Sequence, residues 1–184
     1  MKKTLIPLVI VHYLFMITGI LIFVIDDTAF VQLMSIINLI LVPIGLITIV
    51  MNIINAFKHR NDSLDSSAKE IMIFKILMIP YYISSFIFGV IFAFVGLISL
   101  VTIFWLASFP LVLVAILMLI YNYITMISTS SHILFKLYKE YKNYSSITSV
   151  IIAMSQLIMV IDVFGAIFLY IRVKEKNKEI KEIK

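Results

Sequence analysis

The chain of 184 residues is 62% hydrophobic and 14% charged, with a mean hydropathy of +1.13, against about 45–50% apolar and about 25% charged in soluble domains. A soluble fold of this length has too little interior to hide so much apolar surface, so the chain reads as an integral membrane protein. Fifteen basic and ten acidic residues leave a net charge of +5, and the absence of cysteine excludes disulfides, thiolate metal sites, thiol redox chemistry, palmitoylation and prenylation.

The expected fold is all-α, an integral membrane helical bundle of about five transmembrane helices in a single domain over 1–184. The first span, 4–25, follows Lys2 and Lys3 and ends at Asp26 and Asp27. It exceeds the roughly 7–15 residues of a signal-peptide core, and no small-x-small cleavage site precedes the acidic pair. The second span is 29–56, followed by a polar loop at 58–70. The apolar tract 71–131 is too long for one helix, and Gly96 divides it into spans at 72–95 and 99–128. Residues 132–146 read as an interfacial connector, with Leu134, Tyr138 and Tyr141 on one face and Lys136, Lys139 and Asn143 on another. Tyrosine and lysine suit the anionic headgroups of an inner leaflet. The fifth span is 147–171, and a Lys/Glu-rich tail fills 172–184.

The cations fall as two at the N-terminus, four from Lys58 to Lys75, three at 136–142 and six in the tail. With the N-terminus cytoplasmic, the first regions alternate as the positive-inside rule asks. Five spans, however, send the tail's six cations outside. The expectation is N-in and C-out; a sixth crossing or a re-entrant fifth segment returns the tail to the inside.

Polar and small residues form stripes along the spans: Asn38, Gly45 and Asn52 in the second, Ser85, Gly89 and Ala93 in the third, Ser108, Ala115, Asn122 and Thr129 in the fourth. Such stripes let helices approach closely and bond across the gap. In the fifth span Ser155, Asp162 and Ala166 share a face. An ionised aspartate at the bilayer centre costs on the order of 2.5–3.5 kcal/mol, so Asp162 must face protein or water. As part of a crossing helix it lies about 14 Å from that helix's C-terminal end, the depth of Asn38. Asn38 is therefore its expected partner, Ser155 completes a candidate intramembrane polar site, and the same depth argument speaks against a salt bridge to His12 or Lys75. Lys75 is expected to snorkel to the interface, and Pro80 to disturb its helix.

HExxH, GxSxG, GxxxxGK[ST] and GxGxxG are all absent, and His12, His59 and His132 lack metal-ligand spacing. No catalytic, cofactor or metal residue is expected, no enzyme activity, and no nucleic-acid partner. Three stretches, "KILMIPYYISSFIFG" at 75–89, "SSHILFKLYKE" at 130–140 and "QLIMVIDVFGAIFLY" at 156–170, resemble an uncharacterised family of small multipass membrane proteins from low-GC Gram-positive bacteria. The resemblance covers roughly the last 110 residues. It implies a location in the bacterial cytoplasmic membrane and a bundle fold, singles out Lys75, Pro80, Ser131 and Asp162, and implies no activity. The expected role is a structural or accessory subunit of a membrane complex, an immunity-type protein included. Its partners are the bilayer, its anionic inner-leaflet headgroups, and another membrane protein or a second copy of itself. The alternative is a small transporter or solute-binding subunit using the polar site around Asp162.

Overall fold

The structure, a computed structural model, describes residues 2–62, 64–100, 105–140, 146–156, 158 and 161–182. Six helices follow one another: α1 (Lys2–Val24), α2 (Thr28–Lys58), α3 (Leu64–Leu100), α4 (Trp105–Glu140), α5 (Ser146–Ser155) and α6 (Ile161–Glu182). Among the described residues there is no strand. Four stretches are long and apolar enough to cross a membrane: Lys3–Val24, Thr28–Lys58, Ser67–Ile98 and Val112–Leu137.

The exposed side chains on α1 to α4 are mostly apolar, Leu39 at 75% and Phe94 at 64% among them. Over four long helices such a surface matches a lipid solvent rather than water. Inside, the small residues set how closely the helices approach. A Cβ on Gly45 would fall 1.9 Å from the Tyr121 hydroxyl, and one on Gly96 would fall 2.5 Å from Val112 Cγ2. Gly96 thus does not divide two spans. Helix α3 runs through it to Leu100, and the glycine lets α4 pack tightly alongside. Asp27 caps α2, its carboxylate accepting from the Phe30 amide at 2.8 Å.

The helices also run through their prolines. Pro80 lacks an amide hydrogen and loosens its turn of α3. The Leu77 carbonyl there accepts the Tyr13 hydroxyl from α1 at 2.6 Å.

The largest departure from the sequence expectation lies in the last third. The segment expected as a single fifth span, 147–171, is two helices meeting at a turn around Gln156. The expected connector is corrected as well: His132, Ile133, Lys136 and Leu137 are buried and belong to α4, while 141–145 lie outside the described residues. The connector reading fails because His132 and Lys136 turn inward onto protein. Lys136 Nζ, for example, donates to the Ser67 hydroxyl of α3.

Helices α5 and α6 form a hairpin against the ends of α3 and α4. A cluster of Ala68, Ile71, Ile133, Leu137, Ile152, Ala166, Leu169 and Val173 holds it there. Gly165 permits the tight tip: a Cβ there would fall 2.0 Å from Ser155 Oγ. Asp162 meets α3 at Lys75, and further along α6 Val173 shares the cluster with Ala68 and Ile71. Helix α6 therefore runs antiparallel to α3, towards the end where α3 begins. Helix α5 descends along α4 from that same end, since Ile152 shares the cluster with Ile133 and Leu137 while the deeper Gln156 carbonyl accepts from Ser130 at 3.3 Å.

Candidate functional site at the tip of the α5–α6 hairpin

The turn at Gln156 delivers Asp162, in the first turn of α6, to Lys75 in the first third of α3. Its Oδ2 accepts from Lys75 Nζ, and both side chains are 0% exposed. The ammonium also donates to Ser130 Oγ of α4 at 2.7 Å. Gln156 ties the tip to itself, its Nε2 donating to the Asp162 carbonyl at 3.2 Å and to Ser155 Oγ at 3.3 Å. The site thus draws on α3, α4, α6 and the turn between α5 and α6. A carboxylate in the first turn of a helix is also favoured by the helix dipole.

Satisfaction is incomplete. Asp162 Oδ1, Gln156 Oε1 and Tyr82 Oη are buried and make no hydrogen bond among the described residues. Buried polar atoms are usually paired, and those left over are common at places where something binds or moves. Chemically the arrangement can hold one ion pair, exchange a proton across it, or accept a donor at the spare carboxylate oxygen.

The expected composition of this site needs correcting. Asn38 is not the partner of Asp162: it sits on α2 and accepts the Thr18 hydroxyl of α1 at 2.5 Å. Lys75 does not snorkel but pairs directly with Asp162. Both errors have one cause. Read as a crossing helix, 147–171 puts Asp162 at the depth of Asn38; read as a hairpin, it puts Asp162 at the depth of Lys75. Ser155 does belong to the tip, with its hydroxyl donating to the Ile152 carbonyl at 2.7 Å. Ser131 is buried one residue from the site and donates to the Ser128 carbonyl at 2.6 Å, whereas Pro80 is exposed on α3.

Ser130, Gln156 and Tyr82 were missed. The available signals were the serine run at 128–131 and an uncharged Ser-Gln pair in mid-span.

A second polar group lies in the same half of the bundle. Asn52 Nδ2 donates to the Ser128 carbonyl and hydroxyl at 3.0 and 3.1 Å, and its Oδ1 accepts from Thr4 at 3.1 Å and from His132 Nε2 at 3.0 Å. His12 Nδ1 donates to the Leu8 carbonyl at 2.7 Å, with Nε2 3.0 Å from the Thr125 hydroxyl. No group of three or more His, Cys, Asp or Glu side chains suited to a metal occurs among the described residues.

No curated protein and no solved structure matches the chain. A family model does, over residues 2–175, so its span takes in all four long apolar helices and the hairpin tip. The chain belongs to the family of unknown function DUF6652.

Proposed function

We propose that the protein is a small transporter or solute-binding subunit of the membrane, with four crossing helices and a re-entrant α5–α6 hairpin whose tip carries the working charge pair. Ten residues of α5 rise about 15 Å, half of a hydrocarbon core about 30 Å thick. The observation that carries this reading is a helix break beside a fully buried Lys75–Asp162 pair with a spare carboxylate oxygen. Broken helices at membrane depth are tolerated where protein or a water-filled cavity surrounds them. Such breaks recur at substrate and ion sites, and intramembrane ionisable residues mark charge pathways.

A re-entrant hairpin also accounts for the cation count. Both termini, the α2–α3 loop and the α4–α5 connection then share one side, and all fifteen Lys and Arg lie at or towards it. Asp26, Asp27 and the α3–α4 connection lie opposite, without a cation. The positive-inside rule makes the shared side cytoplasmic in a bacterial plasma membrane, against the anionic headgroups. A reporter fused after Lys184 is expected inside, together with one fused at Met1; an external C-terminal reporter overturns the hairpin topology.

For the charge pair, reconstituted protein is expected to carry a solute-dependent current that Asp162→Asn abolishes. A protein that carries no current, and in which Asp162→Asn lowers only stability, argues for a permanent latch. One observation favours that second reading, a structural or accessory subunit: neither Lys75 nor Asp162 has any exposed surface. We read neither role as enzymatic, because no nucleophile, base and orienting group converge among the described residues.

A further inference from the structure

On the other side of Tyr81 from the ion pair, α1, α2, α3 and α4 together line a half-open cavity of about 180 Å³. Its walls are chiefly rings and thioethers, among them Phe15, Phe23, Phe88, Phe92 and Met118. Phe23 stacks on Phe88 with centroids 5.2 Å apart and tilts against Phe92 at 5.9 Å. No charged side chain lines it among the described residues. Its polar groups are Asn38 and Ser84, together with Tyr81 and Ser85, which are both bonded to Asn122 of α4.

We propose that this cavity binds one small neutral aromatic molecule bearing a single hydroxyl or comparable hydrogen-bonding group, of the size and chemistry of a simple phenol. Size comes first: an apolar cavity of about 150 Å³ accepts benzene and excludes water, so this one admits a single substituted ring. Ring-lined walls favour aromatic guests through stacked and edge-on contacts.

The polar groups set the substituent. Thr18 occupies the amide oxygen of Asn38, which leaves the Asn38 N–H groups to donate to a guest's oxygen. Ser84 spends its proton on the carbonyls of Pro80 and Tyr81, at 2.9 and 3.0 Å, which leaves its oxygen to accept from a guest's O–H. A phenol satisfies both, while a saturated lipid chain satisfies neither. Gly19 keeps the space open, since a Cβ built there meets nothing within 4 Å.

The cavity is distinct from the ion pair but connected to it. Tyr81 lines the cavity and packs beside Tyr82 with ring centroids 5.7 Å apart, and the Tyr82 hydroxyl is buried at the site. The cavity supplies a solute to the transport or binding reading and rests on that reading only for its use by the cell.

Equilibrium dialysis of p-cresol and toluene against the full chain in nanodiscs, with empty nanodiscs as the blank, tests this without any gradient or charge readout. Failure of the charge-pair experiment therefore leaves it untouched, and its own failure leaves the charge pair untouched. Saturable one-to-one binding is expected, with p-cresol bound several-fold more tightly than toluene. Gly19→Leu fills the space and is expected to weaken both by about tenfold or more while the protein keeps its melting temperature. Asn38→Leu is expected to abolish the preference for p-cresol. Uptake equal to that of empty nanodiscs overturns the proposal, as does undiminished binding to Gly19→Leu. A phospholipid that co-purifies with the wild type and is lost from Gly19→Leu, without saturable p-cresol binding, overturns it too by assigning the cavity to an acyl chain.

Discussion

The two halves of the bundle solve the interior problem differently. Towards the end where α1 begins and α4 finishes, the inside is polar: His12, Asn52, Lys75, Ser128, Ser130, His132, Lys136 and Asp162 are all buried. Towards the other end the four long helices meet through Phe23, Phe88, Phe92 and Met118 around a small cavity. The difference follows the hairpin. Where α5 and α6 insert, backbone turns and charges need partners, and α3 and α4 provide them. Where four continuous helices close on each other, backbone groups away from the prolines are satisfied within their own helix, and ring packing needs only a few side-chain bonds beside it. A broken helix thus recruits polarity around itself, and the unbroken half remains free to be a pocket.

The largest expected effect breaks the polar half. Asp162→Ala strands an ammonium in a 0% exposed site and is expected to cost about 3–5 kcal/mol, read by reversible unfolding in mixed micelles. The double variant Lys75→Met with Asp162→Leu should recover most of that loss, because an apolar pair of similar volume replaces a costly ionic one. If the double variant is as unstable as the single, the pair is not the coupled unit described here.

Next comes the hairpin tip. Gly165→Val places a side chain where even a Cβ falls 2.6 Å from Gln156 Nε2, and overpacking of this kind costs about 1–3 kcal/mol. Protease sensitivity of the α4–α5 connection should rise with it while the four spans stay folded. Asn52→Leu removes the partner of Ser128, His132 and Thr4. A mean of about 0.6 kcal/mol per interhelical bond puts its cost near 1–2 kcal/mol, measured by the same unfolding. At the bottom of the scale stands Arg172→Ala. Its ion pair with Glu175 spans 3.4 Å with both side chains more than half exposed, so no shift beyond about 0.5 kcal/mol is expected.

Much of this contrast is legible in the sequence, and the rest fails for a definable reason. Length and hydropathy place α1 and α2 within a few residues of their ends. The Asn and Ser stripes correctly mark inward faces, since Asn52, Ser85, Ala115, Asn122 and Thr129 are buried. Of the two surroundings open to Asp162, protein or water, the structure gives it protein. Its partner was misassigned because a run of about 25 apolar residues fits either one crossing or two half-length arms, and hydropathy does not distinguish them. Without glycine or proline at the break, the turn at Gln156 leaves little local trace. The trace it does leave is global: in any five-span topology the six tail cations stand opposite the other nine. The fates of Lys136 and His132 were hidden for the same reason, since what covers the end of α4 is a hairpin that periodicity reads as a separate span.

The ion pair also imposes a schedule. Lys75 precedes Asp162 by 87 residues, and chains grow at about 5–20 residues per second. Lys75 therefore waits roughly 4–17 s for its carboxylate at that pace, and Ser130, arriving sooner, is the first group able to hold the ammonium. Once α4 is complete at Glu140, and until Asp162 is made, the growing chain holds four helices and an ammonium that lacks its carboxylate. Docking of the α5–α6 hairpin supplies the carboxylate and closes that interval.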